Sequence, residues 1–139
     1  MTGPTIALGT VCLDCRDAHE MARFYSALLG WEATATEPDW VLMRDPGGGA
    51  GLSFQAEVTY TAPVWPEEPG AQQKMIHLDV RVTPADPGAD LDGAAGQEAL
   101  DAAAGVAIAA GGRLADHQPR DDLRILFDPS GHPLCLFLH

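Results

Sequence analysis

Residues 13–31, LDCRDAHEMARFYSALLGW, contain the end of a strand, a helix cap, an amphipathic helix and its stop. Asp17 followed by Glu20 has the form of a capping box, with Asp in the Ser/Thr position. Met21, Phe24, Tyr25, Leu28 and Leu29 recur at spacings of three and four, so they share one helical stripe. Gly30 is the expected left-handed stop. The pattern predicts a helix over 17–29. Upstream, residues 6–15 are β-rich. Val11, Leu13 and Cys15 share one face, and Thr10, Cys12 and Asp14 share the other. Downstream, 31–36 and 39–44 read as strands joined at Glu37-Pro38. Asp45-Pro46-Gly47-Gly48-Gly49 reads as a turn and 52–55 as a fourth short strand.

The same order returns in the second half. Residues 75–82 read as a strand with Leu78, Val80 and Val82 on one face and His77, Asp79 and Arg81 on the other. Pro84 to Gly96 reads as a loop. Residues 100–110 follow as a helix with Leu100, Ala104, Ala107 and Ile108 inward, weakened by Gly105 and ended by Gly111-Gly112. Residues 113–116 and 123–127 read as strands, Asp128 to His132 as a turn and 133–138 as a closing strand. Leu28-Leu29-Gly30-Trp31-Glu32 is echoed by Ala109-Ala110-Gly111-Gly112-Arg113. Arg44-Asp45-Pro46-Gly47-Gly48 is echoed by Phe127-Asp128-Pro129-Ser130-Gly131. A strand–helix–three-strand unit therefore occurs twice. The fold class expected is α+β, with two tandem βαβββ units at about 6–55 and 74–138. They are joined by loop 56–73 within a single domain over 1–139, with an Ala/Gly-rich insertion at about 84–97.

Composition bounds the function. The 139 residues are 46% hydrophobic and 20% charged, which is globular. Eight Lys and Arg against twenty Asp and Glu give a net charge of −12. A chain with no basic cluster is a poor match for nucleic acid or for an anionic membrane surface, so neither is expected as a partner. No apolar run approaches bilayer length, and Met1-Thr2-Gly3-Pro4 reads as no secretory leader. Cys12, Cys15 and Cys135 are expected as reduced thiols in a cytoplasm, without a thioredoxin-type redox pair. Cys135 and Cys12 are read as small packing residues, His132 as an exposed turn residue, and His19 as solvated on the first helix. His117 falls in a polar connection. Gly47-Gly48-Gly49 is a turn and not a phosphate loop, since no Lys-Ser/Thr follows it.

The doubled unit, together with particular residues, resembles the vicinal oxygen chelate superfamily, and within it the small actinobacterial glyoxalase-like proteins. The residues are Leu13-Asp14-Cys15-x-Asp17, Phe24-Tyr25 before Leu29-Gly30-Trp31, and Asp39-Trp40-Val41. Further along stand Pro63-x-Trp65-Pro66, His77-Leu78-Asp79, and Asp128-Pro129-x-Gly131-His132-Pro133-x-Cys135. That superfamily includes glyoxalase I, fosfomycin-resistance thiol transferases, extradiol dioxygenases and bleomycin-binding proteins. The resemblance implies sheets curved around a central cavity, with helices outside and the more polar strand faces inside.

Metal-dependent relatives place one ligand each on the first, fifth and eighth strands, sometimes adding the fourth. The resemblance carries these positions to Thr10, His77 and Cys135, with Ser53 on the fourth strand and Gln55 on the same face. Only His77 is a typical ligand, so no cofactor is expected, and a divalent metal is the less favoured reading. His77 is then either a ligand contact or a structural histidine bonded to Asp79. Ligand-binding candidates are His77, Asp79, Gln55, Trp40, Trp65, Cys135 and Thr10, with the two tryptophans closing a cavity mouth or simply packing.

The leading expectation is a small-molecule-binding protein that lacks the usual metal triad. One alternative is a lyase, isomerase or thiol transferase using His77 as general base or as sole remaining metal ligand. Another is a non-catalytic interaction module. Relatives often dimerise through strand edges, and a homodimer is expected here too.

Overall fold

The structure is a computed structural model, and it describes residues 3–138. Met1 and Thr2, part of the segment read as carrying no leader, and His139 lie outside the described residues. The chain divides into two compact units, Met1–Tyr60 and Thr61–His139.

The first unit runs β1 (Thr10–Cys15), α1 (Ala18–Leu29), β2 (Ala33–Glu37), β3 (Trp40–Met43) and β4 (Gly51–Ala56). Its sheet has the order β1-β4-β3-β2, with β1 parallel to β4 and the other pairs antiparallel. Asp17 caps α1 as the sequence predicts, accepting from the backbone N–H groups of His19 and Glu20 at 3.0 and 3.1 Å. The Glu20 side chain does not close the box. It turns outward to Arg16 at 2.8 Å. Gly30 takes the left-handed conformation (φ 74°) and donates its N–H to the Ser26 carbonyl. Met21, Phe24 and Tyr25 are fully buried, as are Cys15, Val41, Met43 and Phe54, and α1 packs on β3 and β4. Tyr25 stacks on Phe54 with centroids 5.4 Å apart. Burial of each large side chain in this set contributes about 1.5–3 kcal/mol.

The second unit repeats this connectivity with β5 (Leu78–Val82), α2 (Ala94–Ala109), β6 (Arg113–Leu114), β7 (Leu123–Phe127) and β8 (Pro133–Leu138), in the order β5-β8-β7-β6. The parallel pair is now β5 with β8. Leu100, Ala104 and Ala107 are the buried stripe of α2, and Leu134 and Leu136 are buried on β8. The expected α+β fold of two βαβββ units is therefore present.

Several expected boundaries are corrected. The strand expected from residue 6 begins at Thr10, because the ladder to β4 ends where Gly51 donates to the Gly9 carbonyl; Ile6 and Leu8 are left exposed. The strand expected from Met75 begins at Leu78, the first residue facing β8, and Met75 lies at positive φ (45°). Helix α2 starts at Ala94 rather than Leu100, so the tail of the expected 84–97 insertion is helical. Gly96 is part of its packing. A Cβ there would stand 2.2 Å from the Leu91 carbonyl oxygen and 2.9 Å from Leu138 Cδ1. Ile108, expected inward, is exposed.

Strand β6 is only Arg113–Leu114 where 113–116 was expected, because the Gln118 side chain takes over the pairing. Its Nε2 donates to the carbonyls of Ala115 and Ile125 at 2.9 and 2.7 Å, and its Oε1 accepts from the Ile125 N–H at 2.9 Å. The closing turn is tied in the same manner. Asp128 Oδ1 accepts from the N–H groups of Ser130 and His132, and His132 is buried rather than exposed as expected.

Candidate functional site

Strand register decides which candidates share a face. In the second unit Asp79 stands beside Cys135 on β8, and Cys135 stands beside Ile125 on β7. This row lies on the face turned away from Leu134 and Leu136, hence away from α2. His77 precedes β5 instead of lying within it, yet its Nε2 reaches Asp79 Oδ1 at 3.3 Å, with side chains 42% and 62% exposed. One donor atom from each of His77, Asp79 and Cys135 falls within 4.8 Å of the others. Burial pushes the Cys135 thiol above its ordinary range, and the charge of Asp79 and a hydrogen bond to it add to the rise. Cys135 is thus a neutral, half-buried thiol and not a ready nucleophile.

Trp65 adjoins this row. It packs on the buried cluster of Ala115, Ile125 and Phe127, which Cys135 also touches. Its ring lies 5.6 Å from His117 and 6.4 Å from Phe127. The Arg113 guanidinium sits 4.4 Å over the Phe127 ring. Trp65 thus forms part of an apolar and aromatic surface. Residues Glu67, Gln73, Lys74, Met75 and Ile76 form, with His77, a cleft of about 310 Å³. Lys74 pairs with Glu67 at its wall.

In the first unit, Asp14, Gln55 and Trp40 are aligned across β1, β4 and β3, and so project from one face. Cys12, Ser53 and Leu42 form the adjacent row, and Thr10 lies opposite Gly51. Gln55 is exposed, Trp40 and Thr10 are half-buried, and Ser53 is buried. The sequence candidates thus fall into two groups, His77, Asp79, Cys135 and Trp65 on the second unit, and Thr10, Gln55 and Trp40 on the first.

Cys12 and Cys15 have C-x-x-C spacing, which the expectation of no redox pair overlooked. On a strand that spacing sends the side chains to opposite faces, and here Cys12 is exposed while Cys15 is buried. None of Cys12, Cys15 and Cys135 is in a disulfide. Cys12 is thus not the packing residue expected. His19 is half-buried rather than solvated, donating from Nε2 to the Glu37 carbonyl at 2.7 Å. It lines a second cleft of about 440 Å³ with Arg23, Ser26, Ala33 and Thr36. The helix reading missed this cleft, since only the inward stripe of α1 was legible.

At the four positions that the resemblance carries over stand Thr10, Ser53, His77 and Cys135. Thr10 and Ser53 are neutral hydroxyls, and His77 alone is a typical nitrogen ligand.

The sequence profile of the glyoxalase-like domain family matches residues 10–137, and the chain belongs to that family. Similar solved structures include a glyoxalase/bleomycin resistance protein/dioxygenase family enzyme from Burkholderia phytofirmans, 19% identical with TM-score 0.65. That likeness covers 96% of this chain and 98% of that one. A glyoxalase-related enzyme from Fulvimarina pelagi is 18% identical with TM-score 0.64, over 97% and 89% of the two chains. The fosfomycin resistance protein FosX of Mesorhizobium loti is 13% identical with TM-score 0.61, over 98% and 94%. At these identities the likeness is one of fold. No curated protein matches the chain.

Proposed function

We propose that this chain is a small-molecule-binding member of the glyoxalase-like family that lacks the usual metal triad. The observation that carries this reading is the meeting of His77, Asp79 and Cys135 within 4.8 Å, on the face of their sheet away from its helix. His77 and Asp79 supply polar contacts, and the neighbouring Trp65 surface supplies apolar area. Thr10, Gln55 and Trp40 offer a second set of contacts on the first unit. The protein acts in a cytoplasm, in keeping with three cysteines that form no disulfide. Among the described residues no helix is long and apolar enough to cross a membrane.

The test is a thermal-shift screen against small organic acids, thiols and drug-like aromatics, run with a chelator present. A binder at 100 times its Kd adds about 2.7 kcal/mol of stability. His77→Ala is expected to abolish the shift and leave the melting temperature of free protein nearly unchanged. A fall in stability with affinity intact would assign His77 a structural role and overturn the reading. A screen without any binder would favour the interaction-module alternative.

The His77–Asp79 contact favours a second reading, a lyase, isomerase or thiol transferase in which His77 moves a proton beside a carbonyl. Asp79 would orient the imidazole and stabilise its charged form. Turnover of a bound carbonyl compound or epoxide that is lost in His77→Ala would establish it.

A further inference from the structure

We propose that the cleft beside α1, within the first unit, binds a small carboxylate that carries an apolar tail. None of the residues grouped with His77 lines it, so this site does not depend on that reading.

Two elements build the cleft. His19, Ala22, Arg23, Ser26 and Ala27 follow at spacings of three and four and share one face of α1. Facing them are Ala33 and Thr36 of β2 and Val41 of β3. Ala33 and Thr36 are three residues apart, and regular alternation would send them to opposite faces. The irregularity between Ala33 and Ala35 turns both to the helix side, with Ala33 beside Met43 and Thr36 beside Val41. Val41 and Met43 are fully buried on that side, whereas Trp40 and Gln55 project from the other. Hydrogen bonds fix the two ends. His19 Nε2 donates to the Glu37 carbonyl and Ser26 Oγ to the Trp31 carbonyl, each at 2.7 Å, which ties both flanks of β2 to the helix. Between these ties the small side chains Ala22, Ala27 and Ala33 leave about 440 Å³ open.

Charge selects the ligand. The chain has twenty Asp and Glu against eight Lys and Arg, yet no carboxylate lines the cleft. Arg23 has no ion-pair partner among the described residues, whereas Arg16, Lys74, Arg120 and Arg124 each have one. Its planar guanidinium offers the two parallel N–H donors that match a carboxylate. The Thr36 hydroxyl lies on the same cleft and can add a third donor. Ala22, Ala27, Ala33 and Val41 seat the tail. A carboxylate without a tail would leave those walls wet, and a cation would meet Arg23.

The experiment titrates the full chain with octanoate, acetate and octylammonium and follows backbone amide resonances. Octanoate is expected to shift the amides of residues 19–27 and 33–36 saturably, with a Kd below about 1 mM. Acetate and octylammonium should leave them in place over the same range. Arg23→Gln should weaken octanoate binding about tenfold. Arg81→Gln removes an equal charge from the second unit and should bind as wild type does. Ala27→Leu, at an exposed helical position that tolerates leucine, should fill the cleft and abolish the shifts. Far-UV circular dichroism checks that each variant folds. Unmoved α1 and β2 amides, equal binding of acetate or octylammonium, unaltered affinity in Arg23→Gln, an equal loss in Arg81→Gln, or intact binding in Ala27→Leu would each overturn the site. Shifts confined to the second unit would overturn it too, and would leave the His77 reading standing.

Discussion

Gly96 and Gly105 lie on the same helix and respond in opposite ways to alanine. Gly105 faces open space, so Gly105→Ala removes backbone freedom from the unfolded chain and is expected to stabilise by about 0.5–1 kcal/mol. Gly96→Ala drives a methyl group into the Leu91 carbonyl and should cost about 1–3 kcal/mol. Urea midpoints of the two variants test both signs. The thiols form a second residue-level series. In metal-free protein Cys12 is exposed and should alkylate first, with Cys15 last because it is buried. Cys135 should lag until alkaline pH, since its thiol is shifted upward. Between the unfolded and folded ionisations the native state keeps a proton that the unfolded chain has lost. Stability therefore falls as pH rises from about 8 upward, and Cys135→Ser should flatten that slope in pH-dependent urea titrations. Alternation placed Asp79 on its strand face, whereas His77 lies one residue before β5 and outside the alternating run. Gln118 was not legible, because an amide replacing strand pairing depends on where the chain returns after β6.

Helix α1 announces itself because each of its signals is a side chain. Asp17 caps it, a stripe buries it and Gly30 ends it. Asp17→Ala is expected to cost about 0.5–2 kcal/mol in chemical unfolding, while Glu20→Ala, whose side chain turns to Arg16, should cost little. Helix α2 begins without such a signal. Its N-cap is Gly93, which makes no side-chain cap bond, and its first three residues are Ala, Ala and Gly. A reading from residue types alone therefore placed the start too late. What holds that end is tertiary contact. Arg124 on β7 donates to Gln97 at 2.7 Å and to Asp101 at 3.2 Å. Arg124→Ala should loosen the first turns of α2, seen as faster amide exchange at Gln97–Asp101, with α1 unaffected.

For the molecule as a whole, the repeat was legible because helix stops and Asp-Pro turns recur in one order. The grouping of the site was legible only in part, since His77 lies before β5 and its contact with Asp79 is not set by strand alternation. Strands β1 and β5 each pair with one neighbour inside their own sheet, leaving edges of the kind that second copies cover. We propose that the protein dimerises; a dimeric mass by light scattering at tens of micromolar protein is the expected outcome, and a monomeric mass would count against it. The strand order has a further result during synthesis. In each unit the strand made last, β4 or β8, occupies an inner position, between the first strand and the third. Until it leaves the ribosome, the first strand has no partner in its own sheet. The first unit can close once residue 56 has emerged. The second must wait for β8, on the order of 10 s later at about 5–20 residues per second. From their own emergence until that of β8, the β5 edge and the apolar side of α2 are what a nascent-chain chaperone would meet.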